Sequence, residues 1–144
     1  MATVHDVAAY ILQKHGKMTT MKLQKLVYYC QAWSLVWDDK PLYSAQIQAW
    51  ANGPVVPALY KLHRGKYTIS EWPEGDPNNL TPQEKETIDA VLDFYGDKSS
   101  QWLIDLTHME DPWRNARKGL GPGERGNRPI RLADMAEYYS SLNN

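Results

Sequence analysis

The chain has 144 residues, 42% of them hydrophobic and 23% charged, with a formal net charge of −1, which fits one globular unit spanning residues 1–144 and excludes a disordered chain. A single cysteine, Cys30, excludes an internal disulfide and a cysteine-rich zinc site. No basic lead precedes an apolar run at the N-terminus, and no apolar run nears the ~20 residues of a membrane span, so a cytoplasmic protein without membrane contact is expected.

Helical periodicity dominates the pattern. Val4, Val7, Ala8 and Ile11 share one face of a first helix that stops at Gly16. Thr19 or Thr20 caps the next, whose stripe of Leu23, Leu26, Val27, Cys30, Trp33 and Trp37 is widened by Tyr29, Ala32 and Val36. A helix of about 25 Å that is apolar on more than one side belongs at the centre of the fold. On that stripe Cys30 is expected to be a small buried hydrophobe rather than a nucleophile. Asp38 to Pro41 ends the helix.

From Leu42 to Trp50, Tyr43, Ala45, Ile47 and Ala49 alternate with polar residues, the period of a strand. Asn52-Gly53-Pro54 signals a turn, and Pro54 or Pro57 opens a short helix that closes near Gly65. A second extended piece, Tyr67 to Trp72, is expected to pair with the first as an antiparallel ribbon lying on helices. After a loop at 73–79, Thr81-Pro82-Gln83-Glu84 is a capping box opening a helix striped by Ile88, Val91, Leu92 and Tyr95. Ser99 or Ser100 opens the next, with Trp102, Leu103, Leu106 and Met109 on its stripe. Asp111-Pro112-Trp113 caps a short helix to about Lys118. A glycine-rich loop at 119–126 precedes a last helix striped by Leu132, Met135, Ala136 and Tyr139. The fold class is therefore mainly α with a small β component: a helical α+β fold with a short antiparallel ribbon.

Charge is segregated. Residues 71–97 carry Glu71, Glu74, Asp76, Glu84, Glu86, Asp89, Asp93 and Asp97 against Lys85 alone. Residues 113–131 carry Arg114, Arg117, Lys118, Arg125, Arg128 and Arg131 against Glu124. Such blocks either steer a partner of opposite sign or neutralise one another within the fold. The six Trp and nine Tyr, against one Phe, keep a polar handle that suits half-buried contact positions, although they also fill a core.

Motifs of catalysis are missing: no HExxH, P-loop, nucleophile elbow or EF-hand stands in the sequence. The glycines of 119–126 follow no strand, so a flexible exposed loop is expected there rather than a phosphate cradle. His108, in His108-Met-Glu-Asp-Pro112-Trp113, admits two readings. One is a metal or acid–base site; the other is a helix C-terminal histidine beside the Asp111 cap. Trp113 and its basic neighbours have the chemistry for nucleic acid, but a pI near 6.4 and the acidic middle argue against a dedicated nucleic-acid domain. No enzyme, cofactor or metal is expected.

Lys22-Leu23-Gln24-Lys25-Leu-x-Tyr28-Tyr29-x-Gln31-Ala-Trp33, then Pro41-Leu-Tyr43, then Ile47-x-Ala-Trp50-x-x-Gly53-Pro54-Val-Val-Pro57-x-Leu-Tyr60, resembles the Panacea domain of SocA-like antitoxins, also known as GepA-like phage-associated proteins. His108, Pro112-Trp113 and Tyr138-Tyr139 are similar to the family's second half. The resemblance implies a mostly helical domain from a bacterial, plasmid or phage genome. It implies an antitoxin that neutralises a toxin encoded by a neighbouring gene through direct contact, by blocking its active site or by delivering it to a protease. Family members pair with very different toxins, so the toxin's identity does not carry over. Some carry a fused DNA-binding module; none is read here, so operator binding is not expected. The alternative is a nucleic-acid-binding accessory or phage-associated regulatory protein. Aromatic and arginine anchors suit a protein interface, so Trp50, Tyr60, Trp113, Arg114, Arg117, Lys118, Arg125 and Arg128 are the candidate toxin contacts. The remaining motif residues are expected to be architectural.

Overall fold

The computed structural model describes residues 2–142. In chain order the elements are α1 (Val4–His15), β1 (Met18–Thr19), α2 (Thr20–Trp37), β2 (Gln48–Trp50), β3 (Gly53–Val55), α3 (Pro57–His63), β4 (Thr68–Ile69), a 3-10 turn (Pro77–Asn79), α4 (Pro82–Tyr95), α5 (Ser100–His108), α6 (Asp111–Ala116), β5 (Arg128–Pro129) and α7 (Leu132–Leu142). The architecture is a mainly helical α+β fold with small antiparallel sheets.

Helix α2 is the axle. Leu23, Leu26, Val27, Tyr28, Tyr29, Cys30 and Ala32 are all fully buried, because α1, α4, α5, α7 and β3 surround the helix. Each large apolar side chain so buried contributes about 1.5–3 kcal/mol. Capping fixes the helix starts: Thr3 with Asp6 and Thr81 with Glu84 form capping boxes, and Thr19 and Ser99 each accept from a backbone N–H of the first turn.

Two glutamines on α2 stand in for strand partners. Gln31 Oε1 accepts from the backbone N–H of Leu42 (2.7 Å) and Tyr43 (3.2 Å), and its Nε2 donates to Tyr43 O at 2.8 Å. Gln24 grips Val56 in the same way, accepting from its N–H at 2.8 Å and donating to its carbonyl at 3.2 Å. Buried backbone groups left without partners cost about 1–3 kcal/mol each. Gln31→Ala is therefore expected to destabilise the fold by about 3 kcal/mol in urea denaturation, against about 1 kcal/mol for Ser34→Ala, which loses one bond to Lys40 O.

The ribbon expected between 42–50 and 67–72 is not formed. Only Gln48–Trp50 of the first segment is a strand, and it pairs with β3 (Ala49 opposite Pro54) and with β5 (Ala49 opposite Arg128). The alternating burial of Tyr43, Ile47 and Ala49 is real, but the Gln31 amide, not another strand, satisfies the first part of the segment. The later piece gives only β4, which pairs with β1 (Met18 opposite Ile69). Gly53-Pro54 is strand rather than helix entry, and Pro57 opens α3. Helix α6 ends at Ala116, short of Lys118. Its N-cap position is held by Glu110, not Asp111, and no side chain caps it. Four residues placed on apolar stripes lie outward instead: Trp37, Trp102, Met109 and Leu132. Ile104 and Thr107 take the inner face of α5 in their place.

A candidate protein-binding site

Strand β2 organises the site. Trp50 closes it, with its indole N–H donating to Gln48 Oε1 at 2.8 Å and its carbonyl accepting from the Trp113 indole at 2.8 Å. The Trp50 ring meets Tyr60 edge to face, with centroids 4.9 Å apart. Pro54 sits on an edge strand, where a missing N–H is tolerated, and Pro57 fixes the first turn of α3. The corner that carries both rings is thereby set by backbone and hydrogen bonds, not by the partner it would meet.

The basic stretch is drawn to this corner by β5. Ile130 N–H donates to Ile47 O at 2.8 Å, extending the pairing of Arg128 with Ala49. Arg117 is buried and tethers the glycine-rich loop, donating to Ala49 O at 3.1 Å, Gly121 O at 3.4 Å and the Glu124 carbonyl. The loop expected to be free is held against β2. Trp113 is stacked on His108 (4.0 Å, 11°), with the Arg117 guanidinium 5.2 Å from its ring.

The structure thus divides the candidate contacts. Trp50, Tyr60 and Arg125 line one cleft of about 720 Å³, together with Arg64 and Lys66. Trp113 and Arg117 are occupied by internal contacts. Arg114, Lys118 and Arg128 are exposed outside the cleft lining, and Arg128 donates to the Lys118 carbonyl. Sequence reasoning did not single out Arg64 and Lys66; the available signal was the basic excess of residues 1–67 and their place in the turn that closes the short helix carrying Tyr60.

Motif residues on α2 build what lies behind the cleft. Lys25 is completely buried, donates to Pro54 O at 3.0 Å, and is pulled by burial down to about 7. Burial also lowers the Lys22 ammonium. Gln24 Nε2 lies 3.0 Å from His63 Nε2, whose imidazolium burial disfavours. Tyr29 and Tyr139 both donate to one Glu110 oxygen, at 2.8 and 2.7 Å, and Tyr28 and Tyr139 share a 3.0 Å hydroxyl contact. Burial pushes the Glu110 carboxyl up, opposed by those two tyrosine bonds. Trp33 donates to Tyr95. Pro112 is buried in the first turn of α6.

His108 ends α5, as the structural reading expects. Burial lowers its pKa, and its Nε2 is buried without a hydrogen-bond partner among the described residues. Also among the described residues, no three His, Cys, Asp or Glu side chains are grouped to hold a metal, and no helix is long and apolar enough to cross a membrane. The ion pairs there are Lys14–Asp89, Lys98–Asp97 and Arg131–Asp134. The acidic stretch of 71–97 therefore does not neutralise the basic stretch of 113–131 by direct pairing.

The fold is a mainly helical α+β domain with an aromatic and cationic cleft. The chain belongs to the SocA-like antitoxins with the Panacea domain, whose family description matches residues 23–114. Among curated proteins it is similar to Antitoxin SocA of Caulobacter vibrioides (strain NA1000 / CB15N), with 28% identity over 145 aligned positions covering 89% of this chain and 76% of that protein. No solved structure matches it. Family and relative together support an antitoxin role.

Proposed function

We propose that this chain neutralises a cognate protein toxin, encoded by a neighbouring gene, through direct protein–protein binding. The observation that carries the reading is the convergence of Trp50 and Tyr60 with Arg125, which is distant from them in sequence, on one cleft. A stable complex buries about 800 Å² per partner, so the exposed Arg114, Lys118 and Arg128 would contribute to the rim around that centre. Rigid placement of the corner lowers the ordering cost of binding.

The test is co-expression. The neighbouring gene product is expressed alone and with this chain, growth is scored, and a tag on the chain retrieves the complex. Rescue of a lethal neighbour with a stable complex is expected; a harmless neighbour that forms no complex would sink the reading. Arg125→Glu with Arg128→Glu is expected to weaken the complex about tenfold or more. Both side chains are exposed, so the thermal midpoint should stay within about 2 °C. Unchanged affinity would remove the 119–131 segment from the interface. Loss of rescue with the complex intact and the toxin level restored by a protease-deficient host would identify delivery to a protease.

A further inference from the structure

We infer that the cleft between the β2–β3 hairpin, α3 and loop 119–126 takes an acidic segment of the toxin, with carboxylates flanking an apolar or aromatic side chain. This rests on the antitoxin reading above and adds the chemistry of the bound segment. Arg64, Lys66 and Arg125 line the cleft, no Asp or Glu lines it, and none of the three cations has an ion-pair partner among the described residues. Three cations in a concave, partly apolar site focus a positive field on its mouth. The satisfied partner is a carboxylate, which arginine binds with two parallel hydrogen bonds.

The interior asks for an apolar group. Met21 and Val55 contribute to the wall, and Tyr60 remains 38% exposed although its ring is braced by Trp50 and by His63, 5.5 Å away. A braced aromatic pair beside an adaptable Met is a pocket for a side-chain anchor. Its 720 Å³ lies in the range of about 300–1,000 Å³ that holds one compact ligand, so it takes a short segment at the centre of a larger interface.

A nucleic-acid strand fits less well. It needs cations spaced along its phosphates and free aromatic faces for its bases. Here the cations converge on one cleft, Trp50 and Tyr60 engage each other, Trp113 is stacked on His108, and the chain carries a net charge of −1.

The test measures binding of the full chain to the purified neighbouring gene product by calorimetry. Arg64→Glu with Arg125→Glu is expected to weaken the complex about a hundredfold, and Tyr60→Ala about tenfold. Lys40→Glu with Lys85→Glu makes the same charge change outside the cleft and should leave affinity within about threefold. If the double Glu variant fails to fold, Arg64→Gln with Arg125→Gln replaces it. Tyr60→p-benzoylphenylalanine should photocrosslink to a toxin peptide containing Asp or Glu, and reversing those carboxylates to Lys should restore binding to the double Glu variant. Cleft variants that bind like wild type, a crosslinked peptide without carboxylates, or an oligonucleotide captured by the cleft in place of the toxin would each overturn the inference while wild-type binding upholds the antitoxin reading. Failure of the wild-type chain to bind would overturn both.

Discussion

Gly53→Ala is expected to lower the unfolding free energy by about 3 kcal/mol, a fall of roughly 6–12 °C in Tm. Gly53 has φ +114°, a backbone conformation that side chains with a Cβ rarely adopt. A Cβ there would also stand 2.7 Å from Lys25 Cε and 2.9 Å from Thr107 Oγ1. The end of a lysine normally swings aside into water at little cost. Lys25 has no such exit, being fully buried and bonded to Pro54 O. The strain and the clash therefore add. A double-mutant cycle separates them: Lys25→Ala should recover the lysine's part of the steric cost of Gly53→Ala and leave the backbone and Thr107 parts. Equal costs of Gly53→Ala in both backgrounds would mean that Lys25 does not enforce the glycine. In this chain the Lys25 side chain occupies the space that a side chain at position 53 of the hairpin would need.

The helices were legible because their signals are local. A period of 3.6 residues, a capping box at Thr81 and stops at Gly16 and Gly96 each act within a few residues of themselves. The strands were not, because each is two or three residues long and has no period to read. Residues 42–50 show the failure most clearly. Their alternation correctly placed Tyr43, Ile47 and Ala49 inside, although Ala45 is only half-buried and Leu42 is buried as well, and it was silent on what satisfies the backbone. Gln31, a helix residue, supplies that partner. Trp37 and Met109 lie on formally apolar stripes, yet they stand at the C-terminal ends of α2 and α5 and remain 45% and 64% exposed.

For the site, composition marked the aromatic corner and the basic stretch separately; the β2–β5 pairing and the bonds from Trp113 to Trp50 O and from Arg117 to Ala49 O join them. That pairing depends on a two-residue strand containing a proline, which has no sequence signature. The pairing also decides which cations face outward. Arg117 and Arg125 are alike in sequence, but Arg117 is consumed in holding the loop whose tip presents Arg125. Arg64 and Lys66 fall within the basic excess of residues 1–67, eight Lys/Arg against three Asp/Glu, but nothing in the sequence singles them out; the turn that follows α3 carries them into the cleft lining.

The second large effect is a rise of stability with pH. Between pH 7 and about 8.5 the wild-type chain is expected to gain about 1.5 kcal/mol of unfolding free energy, with a slope approaching ~1.4 kcal/mol per unit. The cause is Lys25, pulled from 10.5 down to about 7 by burial, with no carboxylate beside it to offset the loss of water. Between those two values the unfolded chain binds more protons than the folded one, so raising the pH favours folding; the burden of the buried ammonium is complete below about 7 and gone above 10.5. The other buried groups act outside this window. His63 and His108 are lowered from 6.5, so their contribution is nearly complete before it. Glu110 is raised from 4.5 and acts on the acid side. Cys30 and the core tyrosines, raised from 9.0 and 10.0, make the fold lose stability at higher pH. Urea denaturation at several pH values measures the slope, and Lys25→Met, which keeps most of the alkyl chain without the charge, should flatten it. A wild-type profile as flat as that of Lys25→Met would mean that water reaches the ammonium. The β2–β3 hairpin would then lack the dry lysine contact that holds Pro54, and with it the fixed placement of Trp50 on which a preformed cleft depends.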